Sequence, residues 1–215
     1  MSLNISDAKK ELSDVCRRVH EKGFVAAYDG NLSVRLDENT LLITPSYKPK
    51  CEITADDLLV TDYNGNLKEG NGKVSTEVKI HLLAYNSRPD VNAVIHCHPV
   101  YATAFASAGM GITQPVFPEV ILTLGEIPLC SYGTPSTEEL TDSMKPFISS
   151  HDVMLLENHG AVTLGTGIID AYYKMEKLEH TAQTLLAARI LGGARELSAE
   201  NLEKLKVIKE LRSKS

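Results

Sequence analysis

The sequence predicts one mixed α/β domain, and three observations carry that reading. Apolar residues recur at helical spacing near both ends of the chain. Short apolar or alternating runs fill the space between, and no repeat, low-complexity tract or linker divides it. At 215 residues and 43% apolar composition, the chain can bury one good core and is short for two, so residues 1–215 are taken as a single domain.

The elements follow in order. Leu3, Ala8, Leu12, Val15, Cys16 and Val19 make residues 3–22 a helix, with Gly23 as its stop. Residues 30–36 alternate as a strand does, and residues 41–45 and 58–62 read as two more strands, the second leading into an Asn64-Gly65 turn. From Ser75 the pattern turns helical: Val78, Leu82 and Tyr85 share a face, with Ser75 or Thr76 as N-cap. The apolar run 93–95 is a buried strand, followed by a short helix over 100–107. Residues 115–135, with their prolines and glycines, read as irregular. A helix over 137–149, two strands within 153–164 and a long helix over 170–191 capped by Gly192-Gly193 come next. Leu202, Leu205, Ile208 and Leu211 stripe a final helix.

Composition narrows the partners. A net charge of −6 with no basic stretch argues against nucleic-acid binding. No apolar run is long enough to cross a bilayer, and Met1–Asp7 lacks the pattern of a signal peptide. Cys16, Cys51, Cys97 and Cys130 lack metal-knuckle or disulfide spacing, so a reducing cytoplasm is the expected location.

The chemistry concentrates in His96-Cys97-His98-Pro99 and Glu157-Asn158-His159-Gly160. Side chains two apart on a strand share a face, so His96 and His98 converge while Cys97 points away. Two such imidazoles plus a third make an open catalytic metal site. A pair of ordinary core histidines is the alternative, and spacing alone does not bring His159 near. Glu77 falls in the first turn of the helix beginning near Ser75, where an acidic residue complements the helix dipole or serves as a general base. Ser75, Thr76, Gly30, Asn31 and Ser46 add hydroxyls and backbone donors suited to a phosphate, although each is also an ordinary cap or turn residue.

Five segments together supply a resemblance: Gly30-Asn31-Leu32-Ser33-Val34-Arg35, Ile43-Thr44-Pro45, Ser75-Thr76-Glu77, the run from Arg88 to Pro99, and Glu157-Asn158-His159-Gly160. In this order the chain resembles the class II aldolase/adducin family, and most closely its L-fuculose-1-phosphate aldolase branch. The resemblance covers residues from about 10 to 192. It implies a three-layer fold with a central, mostly antiparallel sheet flanked by helices. It also implies a homotetramer with sites at subunit interfaces. By resemblance, His96, His98 and His159 bind one divalent metal per subunit, Zn2+ or another. Glu77 is the acid/base, and Gly30, Asn31, Ser46, Ser75 and Thr76 hold the phosphate of a small sugar phosphate. The implied reaction cleaves a ketose 1-phosphate to dihydroxyacetone phosphate and a small aldehyde through a zinc-stabilised enediolate. Glu77 favours aldolase over the related 4-epimerases, which carry Asp there. Decarboxylases and dehydratases of the family remain the alternatives, and a non-catalytic adducin-like role is the rival outside enzymes.

Two departures stand out. Tyr47 follows Ser46 where the family has Gly, with Lys48 and Lys50 nearby as compensating charges. Phe117 stands where the aldolase branch has a proton-donating Tyr, leaving Glu119 and Tyr132 as substitutes.

Overall fold

The computed structural model describes residues 4–213. The first helix, α1 (Ile5–Glu21), begins at Asn4, whose side chain accepts from Ser6 N–H, and it ends before Gly23 at φ +70°. Its apolar stripe, Ala8, Leu12, Val15, Cys16 and Val19, is buried; Leu3, assigned to the same helix from sequence, lies outside the described residues. Eight strands follow among the described residues: β1 (Asn31–Arg35), β2 (Thr40–Ile43), β3 (Leu59–Asp62), β4 (Leu67–Glu69), β5 (Ala93–Cys97), β6 (Leu129–Cys130), β7 (Val153–Leu156) and β8 (Gly160–Gly165). They form one sheet in the order β4-β3-β2-β1-β5-β8-β7-β6. Every pairing is antiparallel except β6 with β7.

Alternation along these strands builds the two outer layers. Leu32, Val34, Ile95, Cys97 and Leu155 point to one face and pack with α1, α3 (Val100–Ser107) and α6 (Ile168–Ile190). Leu41, Ile43, Val94, Met154 and Val162 point to the other and pack with α2 (Val78–Ser87) and α5 (Glu138–Ile148). The predicted three-layer arrangement with a mostly antiparallel sheet is the one observed.

Three expectations change. Residues 115–135 are not irregular throughout: Pro118 opens a short helix, α4 (Pro118–Thr123), and β6 closes the sheet edge. Proline at a helix start and a strand only two residues long leave no periodic signal. The N-cap position of α2 is Glu77, not Ser75 or Thr76, although Ser75 Oγ accepts from Glu77 N–H at 3.2 Å. Ser75 lies two residues before Glu77, and the Glu77 carboxylate makes no cap contact of its own but turns inward to accept from Asn31. Lys48 and Lys50 do not stand free beside the Ser46 turn. Lys48 pairs with Asp57, and Lys50 is wholly buried with its amine on backbone carbonyls. The final helix, α7 (Ala199–Ser213), completes the described chain.

Candidate metal centre and catalytic site

His96 lies near the end of β5 and His98 just beyond it, and the strand alternation sends Cys97 into the opposite core. The two histidine Nε2 atoms lie 3.1 Å apart. His159 arrives from the β7–β8 hairpin, which His159 N–H closes on Leu156 O at 3.0 Å. Asn158 in this turn has φ +55°, a left-handed conformation that asparagine tolerates. What brings the hairpin to His96 is sheet register, with His96 opposite Val162 and Cys97 opposite Ala161. Gly160 permits the close approach, since a Cβ there would stand 2.5 Å from His98 Cδ2 and 2.6 Å from Cys97 O. Gly30 does the same beside β5, at φ +74° and with a hypothetical Cβ 2.8 Å from His96 O.

The ligating atoms of His96, His98 and His159 lie within 4.8 Å of one another. His96 Nδ1 donates to Ala161 O at 3.0 Å, so its Nε2 carries the lone pair. Burial pushes His96 down to about 3, against the opposing pull of Glu77, and burial lowers His98 as well. His159 Nδ1 is buried with no hydrogen-bond partner among the described residues. Converging imidazoles of this kind fit a divalent cation. Asp29 Oδ2 stands 3.7 Å behind His98 Nδ1.

Glu77 borders the three histidines. Its Oε1 is 3.2 Å from His159 Nε2, and its Oε2 is 3.7 Å from His96 Nε2. Burial would raise its carboxyl, but His96, His159 and Asn31 outweigh that and hold it well below the usual carboxylate range. A chain of buried polar groups fixes this carboxylate. Asn31 Nδ2 donates to Glu77 Oε2 at 2.7 Å, which turns Asn31 Oδ1 toward His81 Nε2 at 2.6 Å. His81 must then carry its proton on Nε2 and accept from Ser33 Oγ on Nδ1 at 2.6 Å. Tyr85 Oη in turn donates to Ser33 Oγ at 2.6 Å. Burial pushes His81 down to about 4, with Glu77 opposing, so it stays neutral. The sequence alone does not single out Ser33, His81 or Tyr85 as part of the site. The available signal was Asn31 and Ser33 at strand spacing facing His81 and Tyr85 at helical spacing.

The five residues assigned to phosphate fall in two groups. Asn31 is 4% exposed and committed to Glu77 and His81. Gly30 precedes it in the turn beside His96 O. Ser46 N–H donates to Lys73 O, and Pro45 bridges to Val74, so the Ser46 turn lies against the segment leading to Ser75. Thr76 Oγ1 hydrogen-bonds Ser136 Oγ. Tyr47, at φ +60° and 68% exposed, meets Tyr28 edge-on with ring centroids 5.9 Å apart. Phe117 packs against the core at the start of α4. Tyr132 is exposed, and its N–H donates to Glu157 Oε2 at 2.8 Å, two residues before His159. Glu119 is exposed on α4.

Three imidazoles able to hold a cation, with a depressed carboxylate beside them, are the residue set of a metal-assisted enzyme. The chain belongs to the class II aldolase and adducin family: a family-wide profile described as "Class II Aldolase and Adducin N-terminal domain" matches residues 10–186. An L-fuculose phosphate aldolase of Methanococcus maripaludis is 35% identical, covering 80% of this chain and 93% of its own. A 3-oxo-tetronate 4-phosphate decarboxylase of Haemophilus influenzae is 32% identical, covering 82% and 86%. A solved L-fuculose 1-phosphate aldolase superposes with a TM-score of 0.86 at 29% identity, covering 95% and 96%.

Proposed function

We propose that this chain is a class II aldolase that cleaves a ketose 1-phosphate, of the L-fuculose 1-phosphate kind, to dihydroxyacetone phosphate and a small aldehyde. The observation that carries the reading is the placement of Glu77, an ionised carboxylate held by Asn31 and facing His159. In the direction of synthesis, Glu77 takes the proton from the hydroxyl-bearing carbon of dihydroxyacetone phosphate, and that carbon then adds to the aldehyde. In cleavage it returns the proton to the same carbon. His96, His98 and His159 would hold Zn2+, or another divalent metal suited to imidazole, which when bound polarises the carbonyl and hydroxyl oxygens of the substrate. Gly30, Asn31, Ser46, Ser75 and Thr76 position the phosphate, with Asn31 doing so through the turn it anchors as well as its backbone.

A second reading, decarboxylation of a 3-oxo-acid phosphate, is favoured by the Haemophilus influenzae relative and by Phe117. Aldol cleavage must remove a proton from the hydroxyl that becomes the aldehyde, and a phenyl ring cannot take part. Tyr132, near the His159 turn, supplies that role in the aldolase reading. The two readings separate when metal-loaded protein is given L-fuculose 1-phosphate and 3-oxo-tetronate 4-phosphate in parallel. Dihydroxyacetone phosphate from the first supports the aldolase; carbon dioxide from the second, with no cleavage of the first, replaces it.

The working form is proposed to be a homotetramer with its sites at subunit interfaces. Exposed apolar side chains at Ile190, Leu191 and Leu211 support association, and light scattering measures it. A cytoplasmic location is proposed from four cysteines that are all free, three of them buried. No described helix is long and apolar enough to cross a membrane.

A further inference from the structure

Lys50 is a fully buried ammonium that the chemistry above does not use. Its Nζ donates to Tyr28 O at 3.1 Å and to Lys48 O at 3.4 Å. Cys16, Cys97, Asp29 and Glu77 act on it through space, and burial nevertheless lowers it from its ordinary 10.5. A buried cation satisfied only by carbonyls is costly, and a methionine of similar shape would fill the same space without that cost.

The identity of the two carbonyls explains what the charge does. Among the described residues, four that are not glycine have a left-handed φ: Ala27 at 48°, Tyr47 at 60°, Ser136 at 70° and Asn158 at 55°. Asparagine tolerates this region, but the other three hold strain that their surroundings must over-determine. Tyr28 directly follows Ala27, and Lys48 directly follows Tyr47. Lys50 therefore grips the chain immediately after two of these three strained residues. The same two carbonyls lie two residues before Gly30 and two residues after Ser46.

We infer that Lys50 is a positioning residue, a buried staple that holds the Ala27–Gly30 and Ser46–Lys48 turns in register as the two lips of one anion-binding mouth. The inference rests on the phosphate role given to Gly30 and Ser46 above. The staple suits a chain with Tyr47 where a glycine would adopt the left-handed turn unaided. Lys50 touches neither substrate nor metal ligands in this account; it acts through the backbone of the two turns. Removing it should loosen anion binding while leaving the Glu77 proton transfer in place.

The test uses the full chain loaded with zinc, as wild type, Lys50→Met, Tyr47→Gly and the double variant. Inorganic phosphate is titrated by calorimetry, and deuterium exchange into dihydroxyacetone phosphate gives kcat and KM, with zinc content and Tm recorded for each. Lys50→Met should raise the phosphate Kd and the KM by about tenfold. Its kcat should stay within about threefold and its zinc content should be unchanged. Tyr47→Gly added to Lys50→Met should recover most of the lost binding, because glycine needs no staple. A Lys50→Met protein with wild-type Kd and KM overturns the inference, as does kcat collapsing together with zinc content. A double variant that recovers nothing overturns it too. If Lys50→Met does not fold, Lys50→Gln is judged by the same criteria. Wild type that binds no phosphate removes the phosphate reading and the staple with it; wild type that binds, beside an unaffected Lys50 variant, removes the staple alone.

Discussion

Two regions of polar residues serve this site, and they are built in opposite ways. Asn31, Ser33, His81 and Tyr85 are all buried and joined head to tail up to the Glu77 carboxylate. Tyr28, Tyr47 and Tyr132, by contrast, are each more than half exposed, on turns held mainly by backbone bonds. The buried region sits on β1 and α2, whose regular geometry fixes each side chain. The exposed region hangs on loops in which strained residues are clamped from beneath. The difference assigns precision to Glu77, the proposed acid/base, and adaptability to whatever distinguishes one substrate from another.

The comparison can be broken at several points. The largest effect is expected at the three histidines proposed to hold the metal: His98→Ala should lose bound zinc and turnover together, read by elemental analysis alongside the assay. Glu77→Gln should keep the zinc while slowing proton exchange by about 10²- to 10⁴-fold. Retained turnover in that variant would move the acid/base role elsewhere. One step further along the chain, Asn31→Ala leaves Glu77 Oε2 and His81 Nε2 without their partner. It should cost about 1–3 kcal/mol in unfolding free energy and lower kcat more than it raises KM.

His81 makes the same point through pH. Its folded value of about 4 lies below its ordinary 6.5, so the unfolded chain takes up the proton first as pH falls. The stability it contributes is complete above pH 6.5 and is lost between there and about pH 4. The full difference corresponds to about 3 kcal/mol. Urea unfolding across this window should show a slope that His81→Asn reduces; an identical slope in both proteins assigns the acid sensitivity to other groups. The smallest effect belongs to the exposed region. Tyr47→Gly relieves a left-handed side chain but frees the unfolded backbone, and should change stability by no more than about 1 kcal/mol. Its signature is a changed KM for the sugar phosphate instead, since Tyr47 borders the Ser46 turn.

How much of this was legible in the sequence follows the same divide. His96 and His98 declared a common face because strand period is a local property. His159 could be named as a candidate third imidazole, but spacing could not bring it near, since its approach depends on β5 pairing with β8 across some sixty intervening residues. Glu77 was placed at the start of its helix, but the inward turn of its carboxylate depends on Asn31, forty-six residues away, a contact that spacing does not specify. Lys50 was the least legible: in sequence it reads, with Lys48, as a charge beside Ser46 that compensates for Tyr47. Only the folded path of two separate turns around its amine makes it interior. The short α4 and β6 were hidden because Pro and Gly dominate their surroundings and neither spans enough residues to show a period.

The most direct test of the central claim is deuterium exchange into dihydroxyacetone phosphate, followed by NMR, with zinc-loaded protein in deuterated water and no aldehyde present. The account predicts uptake at the hydroxyl-bearing carbon that stops when a chelator is added and when Glu77 is replaced by Gln. Uptake that persists undiminished in Glu77→Gln, or wild type that exchanges nothing yet releases carbon dioxide from a 3-oxo-acid phosphate, would contradict it.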